Sequence, residues 1–152
     1  MKIENNQLNQ YQRENANPNY NAIEDYVSSL PEFEQSCHEF MTDSLKSTKF
    51  KAVIAQGKIS PDYLNSGCIG KDVNIIGYYT DYIEVPDGIR MRVIMVDEDL
   101  QTYSTVSGGI AKIVKSWIYN DIYPTIDEPL HIKYEQVRKG NIQYYTVKLL
   151  IK

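Results

Sequence analysis

The chain has 152 residues, of which 42% are hydrophobic, and a formal net charge of −4. This length allows one domain with a substantial core, and the composition excludes a disordered chain. No apolar run reaches the roughly 20 residues that a membrane span needs, so we expect no membrane partner. The first 19 residues are polar and lack the apolar segment of a secretory signal, which predicts a cytoplasmic protein.

Tyrosine is the unusual component, with 13 Tyr against 3 Phe and 1 Trp. A tyrosine has an apolar ring and a polar tip, so it can stack on a wet surface, but β-strands also favour aromatic residues. A binding face and ordinary sheet composition therefore both remain open. Residues 1–66 carry 6 basic and 9 acidic side chains, and residues 67–152 carry 10 and 11. Because neither half is basic, a polyanion could bind only to a locally basic groove.

The first part of the chain predicts an arm followed by a helix. Residues 1–22 are rich in Asn and Gln without a hydrophobic period, which is typical of a flexible polar arm. From Ser29 to Ser47, apolar residues at helical spacing and Pro31 in the first turn predict one helix. Phe50 to Ala55 is compatible with a strand or a helix, and the glycines and proline of residues 57–70 predict a loop.

The second part carries stronger strand patterns. Val73 to Val85 is long for one strand, and Gly77 in its middle predicts the bend that a small barrel needs to close. The elements predicted after it are a Pro86-Asp87-Gly88 turn, a strand over Ile89–Val96, an acidic turn over Asp97–Asp99, a strand over Gln101–Ser107, an amphipathic helix after Gly108-Gly109, and strands over Leu130–Arg138 and Ile142–Ile151. Five strands with a helix between the third and fourth are the element order of an OB-fold.

The expected fold class is therefore mainly β with helices (α+β). We predict a five-stranded OB-fold barrel over residues 67–152, with a helical appendage over residues 23–66 and the arm before it. OB-folds mostly bind single-stranded nucleic acids or sugars.

No enzyme is predicted. The two histidines, His38 and His131, lie in different predicted elements without a Cys or carboxylate at metal-ligand spacing. The sequence also lacks a phosphate-binding loop, a nucleophile elbow and a dinucleotide fingerprint. We therefore expect no catalytic residues, no metal and no cofactor.

A nucleic-acid interface uses the residue types that are present. Aromatic faces stack with bases and positive side chains hold the backbone, each stacked base contributing roughly 1–3 kcal/mol. The candidates for stacking are Tyr78, Tyr79, Tyr82, Tyr103 and Tyr144, and those for the backbone are Arg90, Arg92, Lys133 and Lys148. The strand phase around Gly77 is open, so either Tyr78 or Tyr79 could face outward.

Short matches along the second half resemble a known family. Gly70-Lys71, Gly77-Tyr78-Tyr79, Pro86-Asp87-Gly88 and the run Tyr103-Ser104-Thr105-Val106-Ser107 resemble the single-stranded DNA-binding proteins of small protein-primed tailed phages. That family carries a Tyr-Ser-x-x-Ser segment after an acidic turn, and usually a glycine at the position of Leu100.

The resemblance covers about residues 70–151. It implies non-sequence-specific binding of single-stranded DNA during phage DNA replication in the host cytoplasm, with Tyr79 and Tyr103 stacking on bases and replication proteins as further partners. The alternative is an OB-fold module that captures a host protein, which the net acidity and the N-terminal helix favour.

Overall fold

A computed structural model describes residues 19–64 and 66–150; residues 1–18 of the predicted arm and residues 151–152 lie outside them. The described residues form an α+β structure. The helices are α1 (Asn19–Ser28), α2 (Glu32–Ser36), α3 (Thr48–Ile59) and α4 (Gly108–Tyr119), and the strands are β1 (Phe40–Met41), β2 (Asp72–Val85), β3 (Gly88–Asp97), β4 (Thr102–Thr105), β5 (Leu130–Lys139) and β6 (Ile142–Leu149). The order strand, strand, strand, helix, strand, strand predicted for the second half is confirmed, whereas Asn19 to Ala22 of the predicted arm belong to α1.

The long first strand of the prediction is β2, and it bends where glycine predicted a bend. β2 and β3 form an antiparallel hairpin whose register shifts between Ile75 and Gly77, as in a β-bulge. A Cβ atom at Gly77 would lie 2.4 Å from the Cγ atom of Leu45. The glycine therefore permits both the bulge and the close approach of a side chain from before α3.

The strands form one antiparallel sheet in the order β4-β3-β2-β5-β6, and β1 pairs with the middle of β2. Within the described residues the sheet is not closed into a barrel, because β4 and β6 do not pair. Residues 62–64 occupy the outer edge of β4 instead: Leu64 N–H donates to Ser104 O at 2.7 Å, and Ser104 N–H donates to Asp62 O at 2.9 Å. The segment that follows β4 contacts β6 through one hydrogen bond, in which the Ser107 hydroxyl donates to Tyr145 O at 3.5 Å.

The predicted amphipathic helix is confirmed as α4. Ser107 caps it, since its side chain accepts from the N–H of Ile110. One face of the helix is buried against the sheet through Ile110, Ala111, Val114, Trp117 and Ile118.

The single helix predicted from Ser29 to Ser47 is wrong. α2 ends at Ser36, and Glu39 adopts a φ of +55°, which turns the chain so that Phe40 and Met41 pair with β2. This pairing satisfies backbone groups at an edge of the sheet, and it outweighs the helical pattern of the sequence. Phe50 to Ala55, which the sequence left open, is helical within α3.

The sheet is covered on both faces. One cluster of buried side chains packs between the sheet and α4 and includes Tyr78, Trp117 and Ile132. A second cluster lies on the opposite face of β2 and β3, where Ile76 and Tyr79 meet Leu45 and residues of α3. The segment predicted as an appendage thus supplies part of both clusters. Burial on both faces explains why β2 and β3 have nearly continuous apolar runs.

The acidic turn between β3 and β4 is organised by a buried carboxylate. Asp97 Oδ1 accepts the N–H groups of Asp99 and Gln101 at 2.8 and 3.0 Å. Leu100 has a φ of +67°, in the left-handed region that favours glycine.

Candidate nucleic-acid interface

The structure places four of the five candidate tyrosines in the core. Their exposed fractions are 0% for Tyr78, 5% for Tyr79, 4% for Tyr82 and 3% for Tyr103. Each hydroxyl donates a hydrogen bond: Tyr78 to Ile122 O at 2.8 Å, Tyr79 to Asp81 Oδ2 at 2.9 Å, Tyr82 to Glu34 O at 3.0 Å and Tyr103 to Asp97 Oδ2 at 2.8 Å. Burial raises the pKa of all four well above the usual value. In this conformation their faces are packed and are not available to bases.

Both candidate arginines are paired with a carboxylate. Arg92 lies directly opposite Asp81 in the β2–β3 register and donates from Nε at 2.9 Å to Oδ1 and from a terminal nitrogen at 2.5 Å to Oδ2. Arg90 forms an exposed pair with Asp87 at 2.9 Å, and this hydrogen-bonded pair lowers the pKa of Asp87. Both positive charges are therefore locally neutralised, one within the protein and one at the surface.

The other three candidates, Lys133, Tyr144 and Lys148, lie in the β5–β6 hairpin, and the register brings them to one face. Lys133 and Lys148 are directly opposite each other, and Tyr144 follows on the same face because side chains alternate along a strand. The Tyr144 ring is 38% exposed. We call this face, defined by Lys133, Tyr144 and Lys148, the stem face of the hairpin.

The β5–β6 hairpin is basic as a whole: from Lys133 to Lys148 the chain has four basic residues and one acidic residue, although the whole chain is acidic. The acidic residue, Glu135, shares the stem face, two residues after Lys133. Lys133 lies 3.8 Å from Asp72, which has an exposed side chain, whereas Lys148 has no ion-pair partner among the described residues. Two like charges directly opposite each other on a sheet are unfavourable, so this pair favours an anion.

Two hairpin cations were not among the predicted residues. Arg138 and Lys139 end β5, directly before Gly140, which has a φ of +64°, and neither has an ion-pair partner within residues 19–64 and 66–150. The sequence signal that could have identified them is the pair of consecutive basic residues, Arg138-Lys139, at the predicted hairpin turn. We call Arg138, Lys139 and the exposed Ile142 the tip of the hairpin.

Several contacts outside its own ladder hold the hairpin. β5 pairs with β2 from Leu130 to Lys133, and Tyr134 continues this edge, since its N–H donates to Lys71 O at 3.1 Å and its carbonyl accepts from the N–H of Gly70 at 2.7 Å. Gly109 at the start of α4 approaches β6 so closely that a Cβ there would lie 2.7 Å from Tyr145 O. Gly109 therefore permits the close approach of the hairpin to the start of α4, whereas a Cβ at Gly108 would meet nothing within 4 Å.

A cleft of about 200 Å³ lies beside the hairpin, next to the acidic turn, and its lining includes Asp72, Asp97, Glu98 and His131. His131 Nε2 is 3.9 Å from Asp72 Oδ2. No three His, Cys, Asp or Glu side chains of the described part are arranged to hold a metal ion. The carboxylates of this cleft repel phosphate groups.

Comparison of the chain with known families, with curated proteins and with solved structures found no match. Among the residues that the structure describes, no helix is long and apolar enough to cross a membrane.

Proposed function

We propose that this chain is an OB-fold protein that binds single-stranded DNA without sequence specificity in phage DNA replication. The strand order β4-β3-β2-β5-β6, with α4 between β4 and β5, supports the fold assignment. An OB-fold is a partly open five-stranded Greek-key barrel, and the loop between its fourth and fifth strands contributes to oligonucleotide binding. The β5–β6 hairpin is the counterpart of that loop.

The single observation that carries the proposal is the juxtaposition of Lys133 and Lys148 with the exposed ring of Tyr144. A phosphate bound between the two ammonium groups would offset their repulsion, and a base could stack on the tyrosine. The stacking role of the four core tyrosines stays a prediction that would require the core to open. The proposed interface is therefore smaller than the set of nine residues suggested by the sequence.

Binding of fluorescently labelled oligo-dT, followed by anisotropy at low and high salt, tests the proposal. Trp117 is only 5% exposed, so a label on the DNA reports better than intrinsic fluorescence. Lys148→Glu should weaken binding and lower the slope of log K against log salt by about 0.7, the value for one phosphate contact to a single strand. Because the introduced carboxylate would lie opposite Lys133, the same change should stabilise the fold by roughly 0.2–1 kcal/mol.

The matched control is Lys51→Glu, an equal charge change at an exposed position of α3. It should leave the salt slope unchanged. Tyr144→Ala should cost about 1–3 kcal/mol of binding, whereas Tyr63→Ala, at another exposed tyrosine, should cost little. If oligo-dT does not bind at low salt, or if Lys51→Glu weakens binding as much as Lys148→Glu, the proposal is wrong.

The second candidate is a protein-interaction module that captures a host protein. The neutralised Arg90 and Arg92, the buried tyrosines and the net charge of −4 favour it. A Tyr103→Ala variant cannot separate the two candidates, because it would disrupt the core. The Lys148→Glu variant can: under this second candidate, no oligo-dT binding exists for it to change.

A further inference from the structure

A groove of about 420 Å³ lies between β1 and the turn after α4. Its floor is apolar and is formed by Phe40, Met41 and Tyr123. The rings of Phe40 and Tyr123 are 5.8 Å apart at 35°. The Tyr123 hydroxyl donates to Asp121 Oδ1 at 2.9 Å, which fixes a ring that is still 43% exposed. The volume suits a few side chains of an inserted segment.

The rim of the groove is acidic. Glu39 and Asp43 line it, and Asp121 is bonded to the floor tyrosine. One cation, Lys46, lines the groove as well and pairs with Asp43 at 2.9 Å. Glu39 has no ion-pair partner among the described residues. Burial, the hydrogen bond to Asp121 and the negative charges of Asp121 and Asp43 all raise the pKa of Tyr123. An occupant should therefore be apolar and positively charged.

The tip of the β5–β6 hairpin has this chemistry. Arg138 and Lys139 are exposed cations, and the neighbouring Ile142 is 67% exposed. Lys139 and Ile142 are directly opposite each other in the register, so a cation and an apolar side chain project together. Phosphate binding explains the cations, but it gives no reason for an exposed isoleucine beside them.

We propose that the hairpin tip of one copy of this chain docks in the acidic groove of a second copy. Ile142 would lie on the Phe40–Tyr123 floor, and Lys139, which shares its face of the hairpin, would face Glu39 and Asp121. Arg138 projects from the other face and would add positive charge at the rim. The two surfaces differ, so the contact is head-to-tail and leaves a free groove and a free tip at the two ends of an assembly. The contact is small and salt-sensitive, because its charges are exposed. It does not require DNA.

Sedimentation velocity without DNA, at low ionic strength and over a range of protein concentrations, tests this contact. The wild-type chain should associate reversibly, and added salt should reverse the association. Arg138→Glu/Lys139→Glu at the tip and Glu39→Lys/Asp43→Lys at the rim should each weaken it by at least about tenfold. The controls are Lys49→Glu/Lys51→Glu and Glu24→Lys/Glu84→Lys, equal charge changes at exposed positions elsewhere, which should have little effect.

Mixing the two reversed variants gives the decisive result. Each variant alone should associate weakly, because its tip and its groove then carry charges of the same sign. In the mixture, the acidic tip of the first variant fits the basic groove of the second, and the basic tip of the second fits the acidic groove of the first. The mixture should therefore associate. A wild-type chain that stays monomeric at low salt overturns the proposal. Association that is lost with the rim variant but kept with the tip variant also overturns it, because another basic segment would then occupy the groove. Oligo-dT binding is measured separately, so either proposal can fail without the other.

Discussion

Raising the pH above 10 should unfold this protein over a narrow range. Five tyrosines are at most 5% exposed: Tyr78, Tyr79, Tyr82, Tyr103 and Tyr134. Burial raises the pKa of each above the value of about 10 that an unfolded chain has. Above pH 10 the unfolded chain loses protons that the folded chain keeps, so the stability that these groups contribute is complete below pH 10 and falls as the pH rises.

The magnitude follows from the number of groups. Each buried phenol that stays protonated reduces the free energy of unfolding by about 1.4 kcal/mol per pH unit above 10. Five such groups give a slope of about 7 kcal/mol per pH unit, against a total stability of roughly 5–15 kcal/mol for a small domain. Unfolding should therefore occur about one to two pH units above 10.

The assay compares tyrosinate absorbance with circular dichroism during an alkaline titration. The tyrosinate absorbance of the five buried rings should rise together with unfolding and not before it. Tyr103→Phe should reduce the slope of stability against pH by about 1.4 kcal/mol per unit. If all tyrosines titrate reversibly near pH 10 with the dichroism intact, the burial of these rings is refuted.

Four substitutions test the packing and the Asp81–Arg92 ion pair, with urea denaturation as the measurement. Gly77→Ala should destabilise the fold by about 1–3 kcal/mol, because its Cβ would lie 2.4 Å from a buried leucine. At Gly88 a Cβ meets nothing within 4 Å, but φ is +135°. Gly88→Ala therefore measures the cost of backbone strain without a steric clash. Gly109→Ala should cost a similar amount and also weaken oligo-dT binding, because it displaces the hairpin. Asp81→Asn should cost up to about 3–5 kcal/mol, since it leaves the largely buried Arg92 guanidinium without a charge partner.

The order of the elements in the second half could be predicted from the sequence because local rules determine it. Apolar alternation, the Pro86-Asp87-Gly88 turn, the bend at Gly77 and the stripe of α4 all depend on neighbouring residues. The break in the predicted Ser29–Ser47 helix could not be predicted in this way. It results from pairing between Phe40 and Thr80, which are far apart in the chain, and tertiary contacts of this kind override helical periodicity.

The candidate site shows the same difference between what neighbouring residues determine and what tertiary contacts determine. The sequence nominated Tyr78 and Tyr79 because alternation places one of two neighbouring strand residues on each face of a sheet. It could not reveal that both faces are covered, one by α4 and the other by α3. Nor could it reveal that Asp81 lies opposite Arg92, since that depends on register. That Lys133, Tyr144 and Lys148 share one face of the hairpin follows only from the register of β5 with β6, which the sequence does not give.

The β5–β6 hairpin combines features that folding alone does not require. Asp72 of β2 lies on one side of Lys133, but on the β6 side Lys133 faces Lys148, and Ile142 at the tip is 67% exposed. Like charges directly opposite each other cost stability, and an anion bound at the stem, as proposed, would offset that cost. A covered tip would remove the isoleucine from water. Since stem and tip lie on one antiparallel ladder, DNA held at the stem of one copy would hold the tip toward the next copy.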